Sequence, residues 1–133
     1  MPILGVASLA LVESCSFIRN PQEELALSYA NALTNKQTLK ALDVTVSPPP
    51  LPNGMVDLAS TYAYLTSLSS ALEGCLVGSV TIQSQIARAF FTEPCGKGGS
   101  KGTSQYQGIV FQLTQTHKGG YKVFPFSTNL ILA

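Results

Sequence analysis

At 133 residues the chain is the size of one domain, residues 1–133, with room for a core of its own. Eight Lys and Arg against seven Asp and Glu leave a net charge of +1, so no global field draws in nucleic acid or an anionic membrane. Only 11% of the residues are charged, against about 25% in an average soluble domain; a subunit whose surface is covered by neighbours can do without the ions that keep a free monomer in solution.

Cys15, Cys75 and Cys95 are odd in number and widely spaced, which argues against a disulfide framework and for free thiols in a reducing compartment. No apolar run reaches the roughly 18 residues of a membrane span. Residues 3–12 lack the preceding Lys or Arg of a signal peptide, and Glu13 stands where a lipoprotein signal needs a small apolar residue. The reading is therefore a first strand over residues 3–18 and a cytoplasmic or virion location.

Asn20, Pro21 and Glu23 then fall at N-cap, N1 and N3 of a helix, with Pro where its missing N–H costs nothing. Leu25, Tyr29, Ala32 and Leu33 give that helix an apolar stripe, and Asn35 is its stop. Leu42, Val44 and Val46 alternate with polar residues and read as a short strand. Pro48, Pro49, Pro50 and Pro52 follow as a stiff, polyproline-like connection.

Asp57 caps a second helix that runs to Glu73, with Gly74 just beyond its end. Leu58, Tyr62, Leu65, Leu68 and Leu72 form its apolar seam. Its other faces hold Ser60, Thr66, Ser67 and Ser70, with no charge between Asp57 and Glu73. A bare Ser/Thr face lets another backbone approach closely, where a solvated face would carry Glu and Lys pairs; this helix is one candidate contact surface.

Residues 76–92 read as one long strand with Val80, Ile82, Ile86 and Phe90 in phase. Arg88 shares that parity and would point into the core, where an unpaired guanidinium is costly, so it is placed at the rim. Residues 93–104 form a Gly-rich loop whose Lys97 and Lys101 reach out to a partner.

The last third, residues 105–133, reads as a hairpin closed at Gly119 and Gly120. A two-residue turn there pairs Lys118 with Tyr121, Leu113 with Phe126 and Ile109 with Leu130, and so gathers the large side chains on one face. Pro125 has no N–H and suits an edge strand or a bulge. The final strand carries no charge from Val123 to Leu132, unusual for an edge open to water. Val123, Pro125, Asn129 and Ile131 are its candidate contact residues.

Chemistry does not assemble. Residues 101–103 read Lys-Gly-Thr where a phosphate loop demands Gly-Lys-Ser/Thr, and a strand follows in place of a helix. Cys95 and His117 lie at opposite ends of a strand, too far apart for a nucleophile and its base. There is one His and no Cys-x-x-Cys pair for a metal. Neighbouring Glu23 and Glu24 point about 100° apart on a helix. The first 93 residues balance at −3 and the rest at +4, which suits head-to-tail contact between copies.

The fold expected is α+β: a mainly antiparallel sheet of four to five strands with two helices packed on one face. The leading function is a non-enzymatic structural subunit, without cofactor or metal, that packs with copies of itself or other subunits of an assembly such as a virus or phage particle. Its contact residues are Ser60, Ser67, Ser70, Lys97, Lys101 and the four of the terminal strand. Neither nucleic acid nor membrane is an expected partner. The alternatives are a small-molecule-binding or catalytic domain with Tyr29, Tyr62, Tyr64 or Cys95 lining a pocket between sheet and helices, and an adaptor that docks one other protein.

Overall fold

A computed structural model describes residues 20–46, 58–98, 104–116 and 118–133. Helices α1 (Pro21–Thr34), α2 (Thr38–Asp43) and α3 (Leu58–Ala71) precede strands β1 (Val77–Gln83), β2 (Ile86–Gly98), β3 (Ser104–Gln115), β4 (Tyr121–Val123) and β5 (Asn129–Leu132). The five strands form one sheet, β1-β2-β3-β4, with β5 also paired to β3 and every described ladder antiparallel. The architecture is α+β. The expected strand over residues 3–18, the Pro48–Pro52 connection and the Asp57 cap lie outside the described residues.

Helix α1 begins as its sequence dictates. The Glu23 N–H donates to Asn20 Oδ1 at 2.8 Å, Pro21 stands in the first turn and Asn35 is the C-cap. Ala26, Tyr29, Ala30 and Leu33 are buried at helical spacing. In α3 the seam is turned from the expected one. Leu65, Leu68 and Leu72 are buried together with Thr61 and Ser69, whereas Leu58 and Tyr62 are each 43% exposed. Gly74 has φ +88, the left-handed conformation that ends a helix at a glycine.

Residues 76–92 are two strands. Ser84 (φ 50) and Gln85 (φ 66) both take left-handed conformations and make a two-residue turn, so Gln83 pairs with Ile86. Doubling back inverts the parity of everything after it. Ala87 and Ala89 now face the core with Val80 and Ile82, while Arg88 stands opposite Thr81 and Val110 on the outer face, half-buried. The guanidinium thus avoids the core through a turn in a stretch that alternates well enough to pass for one strand.

Three other expectations are corrected. The strand at Leu42–Val46 is replaced by α2 and a single parallel bridge from Thr45 to Val123. The loop over residues 93–104 is shorter, because β2 runs to Gly98 and β3 starts at Ser104 with Cys95 opposite Tyr106. The terminal hairpin closes over three positions, since the Thr116 N–H donates to the Gly120 carbonyl at 2.8 Å. Leu113 therefore faces Val123 and not Phe126.

Farther along, Ile109 does pair with Leu130. Between these two registers the chain takes up three extra residues at Phe124–Thr128, a bulge that Pro125 favours because it has no N–H to offer the ladder. Phe124 and Phe126, expected in the core, are about half exposed there. The core instead comprises Ile109, Phe111, Leu113 and Val123 from the sheet against Tyr29, Leu33, Leu65 and Leu72 from the helices. Each such aliphatic side chain contributes roughly 1.5–3 kcal/mol by leaving water.

Candidate functional site

Three surfaces gather the candidate residues. The first is the terminal ribbon, whose four residues meet different fates. Val123 is 1% exposed, and its N–H and carbonyl bond to Val44 and Val46 at 2.9 and 3.0 Å; it is a core residue and not a contact residue. The edge of β4 is thus closed by the chain itself. Pro125 and Ile131 are half-buried and Asn129 is exposed. Pro125 and Asn129, with Phe124, Phe126 and Val110, border a groove of about 400 Å³ on the outer side of the sheet; Ile131 does not reach it.

The bulge is held from beneath. Tyr29 and Thr128 share a buried hydroxyl–hydroxyl hydrogen bond of 2.7 Å, and the Tyr64 hydroxyl donates to the Thr128 carbonyl at 2.6 Å. Ser127 Oγ accepts from the Gln112 N–H and donates to the Phe124 carbonyl. Phe126 sits at φ 60, a conformation that costs a bulky residue of order 1–3 kcal/mol, with its ring 5.0 Å from that of Tyr64. Burial pushes both tyrosine hydroxyls above their ordinary pKa, with the Thr128 hydrogen bonds opposing it. Tyr29 also packs on Phe111 at 4.7 Å between centroids. The space between sheet and helices where a tyrosine-lined pocket was expected is filled at this point.

The second surface is the serine face of α3. Ser60, Thr66, Ser67 and Ser70 are all exposed, as the bare helix face implies. Ser69 is the exception: it is buried, and its Oγ donates to the Leu33 carbonyl at 2.7 Å, fastening α3 to the end of α1.

The third is the basic arm, and it is tied down. Cys75 and Cys95 form a disulfide, so the expectation of free thiols is corrected for this pair; Cys15 lies outside the described residues. A bridge across 20 residues of sequence lowers the entropy of the unfolded chain by about 3 kcal/mol at room temperature. Lys97 Nζ lies 3.3 Å from Glu73 Oε1 and Lys36 Nζ 3.3 Å from Glu73 Oε2. Gly96 has φ +93, and a Cβ there would stand 2.6 Å from the Ala71 carbonyl oxygen. Disulfide, glycine contact and ion pair together lash the end of β2 to the end of α3. Lys101 and His117 lie outside the described residues.

Three of the described groups with chemical potential are engaged structurally. Cys95 is disulfide-bonded, Glu73 is shared by two lysines and Tyr29 is packed shut. Among the described residues no three of His, Cys, Asp and Glu cluster as metal ligands, and no helix is long and apolar enough to cross a membrane. Sequence reasoning missed the Tyr29–Thr128–Tyr64 tie, for 99 positions separate Tyr29 from Thr128 and no local pattern links them. The disulfide did leave a signal: three cysteines are odd in number, but two can pair and leave one over. No protein-family model matches the chain, and no curated protein matches it either.

Proposed function

We propose that this chain is a non-enzymatic structural subunit that assembles with copies of itself or with other subunits, as the components of a virus or phage particle do. The observation that carries the reading is the character of its surface. In a chain with 11% charged residues, Leu39, Leu76 and Leu132 are 70%, 67% and 62% exposed, and the exposed face of α3 holds serine and threonine without an ion. Apolar and uncharged polar surface of this kind costs little to remove from water and is covered in assemblies.

The disulfide favours a particle or other oxidising setting over a reducing cytoplasm. Lys97 stays open to contact, since its side chain is 74% exposed although it is paired with Glu73. With Val123 removed, the proposed contact surface is Ser60, Ser67 and Ser70 on α3, Lys97 and Lys101 on the arm, and Pro125, Asn129 and Ile131 on the ribbon. Light scattering after size exclusion tests the reading. The expected result at high micromolar concentration is a defined multimer, and a strict monomer overturns it.

A further inference from the structure

We propose that two copies of this chain join edge to edge through β1, antiparallel about a two-fold axis at Thr81. This deepens the assembly reading, on which it rests, by naming a surface that reading did not include. β1 is the outermost strand of the sheet order, and among the described residues it pairs with β2 alone. Its seven residues, Val-Gly-Ser-Val-Thr-Ile-Gln, hold no charge and no proline. An edge strand open to water is ordinarily blunted by one or the other. At the far side of the sheet the edge of β4 is closed by Val44 and Val46, and β5 is only four residues long.

The strand is complementary to itself. Val80 and Ile82 are half-buried on the core side, opposite Ala89 and Ala87, while Ser79, Thr81 and Gln83 are exposed on the other face. Residues paired across an antiparallel ladder lie on the same face of the sheet, so only registers that match core-side with core-side residues are allowed. An axis at Thr81 sets Val80 of each copy against Ile82 of the other, Ser79 against Gln83 and Thr81 against its own counterpart. Apolar meets apolar, polar meets polar, and no like charges oppose. This register also uses the regular part of β1 beyond the irregularity between Val77 and Ser79.

A strand pair alone covers little area, and here the surface continues. Beside the edge a groove of about 300 Å³ lies between α1 and β1, bordered by Glu23 and Leu27 on the helix and by Gly78, Ser79 and Val80 on the strand. The core-side face of a second β1 would extend the sheet beneath α1 there. β1 itself is neutral, so a charged peptide would find no counter-charge along the strand; the charges nearest it are Glu23 at the groove and Arg88 on β2.

Thr81 on the axis gives a test in the full chain. T81E and T81K each place two like charges opposite one another. The expected result is that each variant associates at least about tenfold more weakly than wild type, and that an equimolar mixture regains wild-type association as a heterodimer. Folding is checked by circular dichroism, because Thr81 is exposed and stands opposite Arg88, which pairs with T81E and repels T81K within each chain. T81K is therefore the stronger probe of like-charge repulsion across the axis. If wild type multimerises and both variants do so equally, the β1 junction is wrong while the assembly reading stands. Weakened variants whose mixture fails to recover also overturn the junction. A monomeric wild type overturns both.

Discussion

Glu73 is the residue on which the most local structure converges. Its carboxylate is shared by Lys36 and Lys97, and hydrogen bonds from Lys36 and then Lys97 hold its pKa below the ordinary value of 4.5. A depressed folded-state pKa adds stability that is present above 4.5 and lost as the pH falls through the folded value. Glu73→Gln should therefore flatten the acid limb of the stability curve, as read by urea unfolding at successive pH values. Because the group is exposed, added salt should shrink the difference between wild type and variant. The neighbouring Gly96 is a harder constraint. Gly96→Ala forces a Cβ to within 2.6 Å of the Ala71 carbonyl oxygen at φ +93, so a loss of at least about 1 kcal/mol is expected in thermal or urea unfolding.

The elements show where sequence pattern suffices and where it fails. Helix α1 was legible because Asn20, Pro21 and the apolar spacing up to Leu33 all act locally. The β1–β2 hairpin was not, because Ser84 and Gln85 lack the glycine that usually marks two successive left-handed residues. Both flanking segments alternate, and a turn that reverses parity leaves the alternation itself intact. Arg88 was the one signal, since it stood on the wrong face of a single strand.

The terminal ribbon failed in a related way. Its two ladders keep different registers, because three extra residues are taken up at Phe124–Thr128, and the second ladder shifts again between Tyr106 and Gly108. The contact that holds this bulge, Thr128 with Tyr29 and Tyr64, comes from far along the chain. Of the candidate contact residues, those on α3 were legible as an exposed face, whereas Val123 was misplaced because parity does not reveal that Thr45 pairs with it. The turn at Ser84–Gln85 carries its own prediction. The double change S84N/Q85G supplies the residues a two-residue left-handed turn prefers. It should raise stability by about 1 kcal/mol, measured as a higher urea midpoint at unchanged slope.

For the whole molecule the question is what encloses a surface this poor in ions. Lys36, Lys97 and Glu73 lie together at one place on the surface, so the few charges the chain has are not spread where they would hold its other faces apart from neighbours. The exposed face of α3 separates the effect of assembly from that of folding. Ser60 and Ser67 are exposed and two turns of helix apart, so S60E/S67E should change unfolding free energy by no more than about 0.5 kcal/mol. In an assembly that covers this face, the same two carboxylates would be driven out of water without partners, a cost of several kcal/mol for each fully enclosed charge. The expected outcome is a variant that melts with wild type and yet fails to multimerise in light scattering. A variant that keeps both its melting temperature and its mass would show that the serine face stays wet, and would leave the ribbon and β1 as the surfaces through which copies meet.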